Sequence, residues 1–304
     1  MAKSVLSDLR FHNEEAAFEY VEANLWPNGP VCPHCQATGE KIGRLQGKTA
    51  RIGLRKCYAC RKQFTVRVGT IFEDSHLPLR LWLQAIHLMC ASKKGISTRQ
   101  LQRMLGCGMK TAWHLGHRIR FAMAPGGSEG PLGGSGKVVE ADETALTNSR
   151  KTKRKAGERK RPHAIVLSLV ERGGNTRSVV LDHRGVARHL RKNIHKDSKL
   201  VTDKAQYYVN PPVAAHESVD HSKGEYVRGD VHVNTLEGFF SVVKRGLVGV
   251  YQHVDQKHLE RYLAEFDFRQ NTRAALGVND VQREAMAIKS ARGKRLTYET
   301  VDRP

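Results

Sequence analysis

Nowhere does the chain string together 18 or more apolar residues, so no segment reads as a membrane-spanning helix. The first residues, MAKSVLSDLRFHNEEAAFEY, place acids where a secretory signal has its apolar core, and a cytoplasmic protein is expected. Coiled-coil heptads are also missing, so no a/d seam announces an oligomer. Acid is the other shortage: 30 Asp and Glu stand against 51 Lys and Arg, a formal charge of +21 spread along most of the sequence. Such a balance favours a polyanion as partner, nucleic acid being the commonest, although ribosome-associated and membrane-surface proteins carry it too. Charge therefore narrows the partner and leaves the chemistry open. At 304 residues the chain exceeds a usual single domain, so two or three units are expected.

Cysteine is scarce, six in all, and in a cytoplasmic chain that favours metal ligands or buried small hydrophobes over disulfides. Spacing separates the two uses. Cys32-Pro-His-Cys35 and Cys57-Tyr-Ala-Cys60 are C-x2-C pairs 21 residues apart. Two such knuckles supply the closed tetrahedral thiolate shell that structural Zn2+ prefers. Short strands between the pairs and over Gln63–Val68 complete a zinc ribbon, assigned to residues 1–76. His34 lies inside the first knuckle and is expected to be exposed, with four cysteines available. Cys90 and Cys107 lack partners at metal spacing and read as packing residues.

Over 77–124 the pattern turns helical. LPLRLWLQAIHLMCASKK is amphipathic, and a second stretch offers an N-cap at Ser97 or Thr98, a helix to Leu105, a Gly106-Cys-Gly108 turn and another helix. The pattern fits a helix-turn-helix with Lys110, Thr111, His114 and Arg118 towards DNA, and also a plain helical hairpin. The neighbouring zinc module and the charge favour the DNA reading.

Residues 125–136 are too rich in Gly and Pro for regular structure and mark a linker. Beyond it, over 137–275, strands predominate: KVVEAD, His163–Val170 and Arg177–Leu181, then a helix, LVTD ending at Asp203, a short strand near ESVDHS, and a last helical block. Three strands, then helix, strand, helix, strand and helix is the order of a ribonuclease-H-like α/β domain, in which the first and fourth strands are neighbours. Asp142 and Asp203 would meet at one sheet edge, with Glu237 on the late helix. Converging carboxylates suit Mg2+, a hard ion taking oxygen ligands. A pair of such ions about 3.5–4 Å apart activates the attacking oxygen and stabilises the leaving one in an in-line displacement. Each acid has a plainer reading as a turn or cap residue. Glu143 should point to the opposite face of its strand as a bystander, and Asp182 ends a strand that does not reach the same edge.

Together CPHC, CYAC, VVEADET (138–144), VTDKAQYY (201–208) and the block HVNTLEGFFSVVKRGLVGVYQHVDQKHLERYLAEFDFRQNTR (232–273) resemble the IS1595 group of bacterial insertion-sequence transposases, the ISXO2-like branch. The similarity covers almost the whole chain, least so its last thirty residues, read as a tail over 276–304. It implies a multidomain α+β protein with an N-terminal zinc ribbon, a helix-turn-helix middle and a DDE-type ribonuclease-H-like catalytic domain. By motif Asp142 and Asp203 match the family's two aspartates, Glu237 its third acid and Lys244 its following lysine. Some members carry Asn as the third residue, and here Asn234 and Glu237 lie one helical turn apart. Carboxylate is the better Mg2+ ligand, which favours Glu237, with Asn234 as outer ligand or orienter. The family commonly continues DET with Tyr-Ile-Gly-Gly, where this chain has Ala145-Leu-Thr-Asn148.

The implied activity is a DNA transposase that binds terminal inverted repeats, cleaves with Mg2+ or Mn2+, joins the freed ends to target DNA, works as a homo-oligomer and associates with the nucleoid. Alternatives are a regulator without catalysis and a structure-selective nuclease or resolvase. Residues 150–161 carry eight basic side chains against one acid. This stretch reads as a solvated hairpin tip or as a phosphate-gripping arm using Lys151, Lys153, Arg154 and Lys155. Lys244 and Arg245 are further phosphate candidates. If the block from His232 is helical, Leu236, Phe239, Phe240 and Val243 anchor one side while Glu237 and Lys244 share another.

Overall fold

Asn13 starts helix α1 (Glu14–Leu25): its side chain accepts the Ala16 N–H, and Glu14 and Glu15 set negative charge on the first turn, where the helix dipole favours it. The computed structural model describes residues 4–126, 130–146, 164–181, 185–203, 208 and 210–297. The chain divides into two compact units, one from residues 1–92, 96–123 and 279–304 and the other from 93–95 and 124–278.

In the first unit a small antiparallel sheet, β1 (Ile42–Arg44), β2 (Arg55–Cys57) and β3 (Gln63–Phe64), carries the second cysteine knuckle. Helix α2 (Leu79–Ala91) begins after Pro78, which has no capping oxygen. Glu14 takes that part from α1, accepting the Leu79 N–H at 2.7 Å and the Arg80 N–H at 3.2 Å while pairing with Arg67. Helix α3 (Thr98–Leu105) is capped by Ser97, which accepts the Gln100 N–H at 3.2 Å. It ends at Gly106, whose φ of 63° is left-handed backbone that glycine adopts without a Cβ clash. Helix α4 (Met109–Met123) follows directly.

Where the sequence offers only a tail, the structure has helix α8 (Asp280–Lys289), opened by a reciprocal cap between Asn279 and Gln282. Its inward face mixes Arg283 and Glu284 with Ala287 and Ile288, so the apolar periodicity that would have revealed it is broken. Glu284 is fully buried and receives Arg10 at 3.3 Å and His87 at 2.9 Å, and Arg283 donates to the Cys90 carbonyl at 3.0 Å. The chain therefore leaves this unit, builds the other one and returns to finish the first.

The second unit is built on a five-stranded sheet: β4 (Val138–Leu146), β5 (Ala164–Glu171), β6 (Thr176–Val180), β7 (Lys199–Asp203) and β8 (Ala215–Val219), in the order β6-β5-β4-β7-β8. The β6-β5-β4 side is antiparallel and the β4-β7-β8 side parallel. Alternation sorts β5 between two cores. Leu167 and Leu169 join Val186 and Leu190 of helix α5 (Gly185–Asn193) on one face. Val166 and Val170 meet Leu236, Phe239, Phe240 and Val243 of α6 (Asn234–Gly246) and Leu259, Leu263 and Phe266 of α7 (Gln256–Asn271) on the other. Full burial of such side chains stabilises by about 1.5–3 kcal/mol each, enough to seat α6 and leave its opposite face free. The described residues between β7 and β8 contain no α-helix, although the expected element order placed one there.

Candidate active site

Strands β4 and β7 run parallel with Ala141 opposite Thr202, so the next residue of each, Asp142 and Asp203, stand side by side. Asp142 was expected at a strand end; β4 in fact runs on to Leu146, and what ends there is its ladder with β7. Glu143, expected to point away, joins the pair: carboxylate oxygens of Asp142, Glu143 and Asp203 lie within 4.8 Å of one another.

The electrostatics record the crowding. Burial, then the charges of Asp203, Glu143 and Glu237, push the Asp142 carboxyl up to about 7. Burial also raises Glu143, opposed by the Tyr208 hydroxyl, which donates to it at 2.5 Å, and reinforced by Asp203. Asp203 is raised by burial and held back by His221, a neighbour to which no sequence motif pointed. Asp203 Oδ1 is buried and has no hydrogen-bond partner among the described residues. A lone buried acceptor among acids that resist ionising together is the donor set a hard divalent cation satisfies.

Asn234 and Glu237 are exposed on the first turn of α6, and Lys244 and Arg245 are exposed on its last. Glu237 acts on the charge of Asp142 but is not among the three gathered carboxylates. The structure adds Glu140, which sequence reasoning passed over. It is fully buried on β4, accepting the backbone N–H groups of Thr235 at 3.1 Å and Leu236 at 3.3 Å. The only signal for it was a glutamate two residues before Asp142, flanked by Val139 and Ala141.

In the first unit Cys32, Cys35, Cys57 and Cys60 converge, with Sγ separations of 3.7 Å for Cys32–Cys60 and 3.6 Å for Cys35–Cys57. Tetrahedral bonds of about 2.3 Å to zinc set neighbouring sulfurs about 3.8 Å apart, so these thiols fit Zn2+ without rearrangement. N–H groups of Cys60 and Ala59 and the neighbouring Cys35 bring Cys57 down to about 7. Against the Ala37 N–H, burial and the surrounding sulfurs push Cys35 up to about 12. Four thiolates this close need a cation between them. His34 is exposed and Cys90 is buried, while Cys107 is half-buried.

Lys110 and Thr111 are exposed on the first turn of α4, and His114 is half-buried. Arg118 corrects the expectation of a DNA contact. It is 5% exposed, stacks 5.2 Å from the Trp82 ring and donates to the Glu73 carbonyl, so its charge is spent inside the unit. Lys151, Lys153, Arg154 and Lys155, together with Asp182, lie outside the described residues. No described helix is long and apolar enough to cross a membrane.

Residues 131–271 match the family model of the ISXO2-like transposase domain, and residues 12–63 match that of the transposase zinc-ribbon domain. The first match contains all three gathered acids and the start of α6; the second contains all four zinc-site cysteines. A curated relative, an uncharacterized protein in transposable element ISH50 of Halobacterium salinarum, is 29% identical over 277 residues, 85% of this chain and 91% of that protein. The two matches stand in the expected order, so the chain carries a segment similar to the transposase zinc-ribbon domain followed by one similar to the ISXO2-like transposase domain, alongside a transposable-element relative spanning most of its length.

Proposed function

We propose that the protein binds the terminal inverted repeats of its element, hydrolyses a phosphodiester at each end to free a 3'-hydroxyl, and directs that hydroxyl onto a phosphodiester of target DNA. The observation that carries this reading is the side-by-side placement of Asp142 and Asp203 on neighbouring parallel strands, with α6 leading Glu237 towards them. The strand order β6-β5-β4-β7-β8 supports a ribonuclease-H-like domain, because that order makes the first and fourth strands neighbours.

Asp142, Asp203 and Glu237, with Asn234 as outer ligand or orienter, would hold Mg2+ or Mn2+, and Glu143 stands where it adds a further carboxylate. The ion, when bound, supplies Lewis-acid stabilisation of charge on the phosphodiester oxygens. The chain's own residues do the rest. Lys244 and Arg245, exposed farther along α6, grip DNA phosphates beside the cut. The zinc ribbon and the pair α3–α4, read as a helix-turn-helix with Lys110 and Thr111 outward, select the end sequence. Basic residues 150–161 add a salt-sensitive hold on the backbone. Joining two ends calls for more than one subunit, so a homo-oligomer is the working form, acting at the nucleoid.

The deciding experiment incubates the protein with a labelled element end and a plasmid target, with Mg2+ and with EDTA, and scores joined products. Joining that requires Mg2+ and disappears in Asp142→Asn and Asp203→Asn, with end binding retained, supports the proposal. Binding without any nicking would mark a regulator instead. Junction cutting without joining would mark a structure-selective nuclease or resolvase.

A further inference from the structure

Helix α6 carries both residues that compete for third place at the acidic centre, yet its own sequence does not cap its start. Val233, at the N-cap position, offers no side-chain oxygen to the first-turn N–H groups. Glu140 of β4 supplies it from another element. Its Oε2 accepts the N–H groups of Thr235 at 3.1 Å and Leu236 at 3.3 Å, the two donors a capping side chain would take, and its Oε1 accepts the Thr235 hydroxyl at 3.0 Å.

Arg172 completes the clamp. Its Nε donates to Glu140 Oε1 at 2.8 Å, and its terminal nitrogens donate to the carbonyls of Asp230 at 2.7 Å and His232 at 2.8 Å, on the chain leading into α6. One buried carboxylate thus joins β4, the turn after β5 and the start of α6. Both of its oxygens are already occupied by donors, and Glu140 is fully buried, so it is not itself a cation ligand.

The position of this clamp matters. Glu140 precedes Asp142 by two residues, on the same face of β4 and about 7 Å along it. The bonded residues Thr235 and Leu236 lie between Asn234 and Glu237. Apolar contacts from Leu236, Phe239, Phe240 and Val243 decide which side of α6 faces the sheet, but hydrophobic burial is non-directional and does not fix how far the helix slides along its axis. The hydrogen bonds to Glu140 do.

We propose that Glu140, held by Arg172, is the positioning residue of the acidic centre, setting Asn234 and Glu237 in place against Asp142 and Asp203. The inference rests on the phosphoryl-transfer reading above. A matched control lies in the other unit, where Glu14, paired with Arg67, caps α2 in the same way and is far along the chain from any of these acids.

The test uses the full-length protein. Glu140→Gln keeps the volume of the side chain but sets an amide among donors. Outer residues that orient metal ligands change metal affinity by about 10–100-fold when replaced. Mn2+ binding, followed by electron paramagnetic resonance, should therefore weaken at least about tenfold, while end binding and a cooperative melt are retained. Cleavage with Mg2+ should fall by about a hundredfold, the cost of a misplacement near 1 Å. In an Asn234→Ala/Glu237→Gln background the same Glu140→Gln change should alter Mn2+ affinity by less than about twofold, since no α6 ligand is left to misplace. Glu14→Gln should lower the melting temperature and leave Mn2+ affinity unchanged.

Unchanged Mn2+ affinity in Glu140→Gln, or an equal loss with and without the α6 ligands, overturns the proposal. If Glu140→Gln does not fold, Arg172→Lys, which retains the charge but loses the fork, is read by the same two criteria. A wild-type protein that binds Mn2+ but never cleaves would sink the phosphoryl-transfer reading, while the Mn2+ cycle would still decide the role of Glu140.

Discussion

Asp142 and Asp203 extend neighbouring parallel strands one residue past the Ala141–Thr202 pair, and with Glu143 their carboxylates lie within 4.8 Å of one another. Burial and this crowding push Asp142 up to about 7. Between its ordinary value of 3.8 and that value, the folded protein holds a proton that the unfolded chain has released. Raising the pH across that window therefore removes stability: the contribution is complete below about 4 and gone above about 7. A cation reverses the sign, because metal and proton compete for the same oxygens. Metal-free protein should melt lower at about pH 8 than at about pH 5, Mg2+ should raise the melting temperature more at the higher pH, and Asp142→Asn should flatten both trends. Calorimetry at the two pH values, with and without Mg2+, checks this; a metal-free protein that gains stability across the window contradicts the acid cluster.

The third member of the centre is open to a direct comparison. Glu237 reaches the charge of Asp142 from the exposed side of α6, and Asn234 is its neighbour one turn earlier. If Glu237 ligates, Glu237→Gln should cut the cleavage rate by about a hundredfold or more, and Asn234→Ala by about tenfold. Glu143→Gln belongs in the same series and should show a smaller loss than Asp142→Asn, because the Tyr208 hydroxyl already occupies one of its oxygens. Single-turnover cleavage of a nicked-end substrate separates these effects from binding. The reverse ranking of Asn234 and Glu237 would transfer the ligand role to the asparagine.

Zinc can be removed independently. The sulfur pairs Cys32–Cys60 and Cys35–Cys57 already stand at zinc-like separations, and the Cys57 thiol is brought down to about 7. Each chain should therefore contain one zinc ion by metal analysis, and Cys57→Ser should lose it. Structural zinc contributes folding free energy directly, so the ribbon should lose protection from proteolysis and end binding should fall. Mn2+ binding at the acidic centre should persist, since it draws on residues of the other unit. Loss of both metals together would deny the two units their separate cores.

Much of this organisation is legible in the sequence because local chemistry dictates it. Paired C-x2-C spacing gathers the zinc ligands, Gly106 closes α3, and the alternation in β5 divides its side chains between two cores. Asp142 and Asp203 could be paired from strand order alone. The misses have one cause in common, a polar side chain buried for a partner distant in sequence. Arg118 looks like a DNA contact until Trp82 and the Glu73 carbonyl enclose it. Glu140 carries no local signal of its role until the start of α6 arrives 95 residues later. Glu143 is sent to the opposite face by strict alternation in the sequence, yet its carboxylate gathers with those of Asp142 and Asp203. No window of local pattern contains those partners.

Helix α8 gives the same lesson in a form that affects folding. Glu284 is fully buried, and its Oε2 receives both Arg10, just before α1, and His87 of α2, so the last described helix is keyed into elements formed near the start of the chain. Removing one member of such a group leaves buried charge unpaired, at a cost of about 3–5 kcal/mol. For a unit of this size that corresponds to a fall in melting temperature of about 6–20 °C. Glu284→Ala should show that fall in the transition assigned to the zinc-bearing unit, and removal of residues 279–304 should abolish that transition. Both variants should retain Mn2+ binding at Asp142, because strands β4 to β8 and helices α6 and α7 lie wholly in the other unit. Differential scanning calorimetry with Mn2+ titration checks the two halves of the prediction separately. A truncated chain that kept the zinc-bearing transition intact would show α8 to be an appendage rather than the closing element of the first unit.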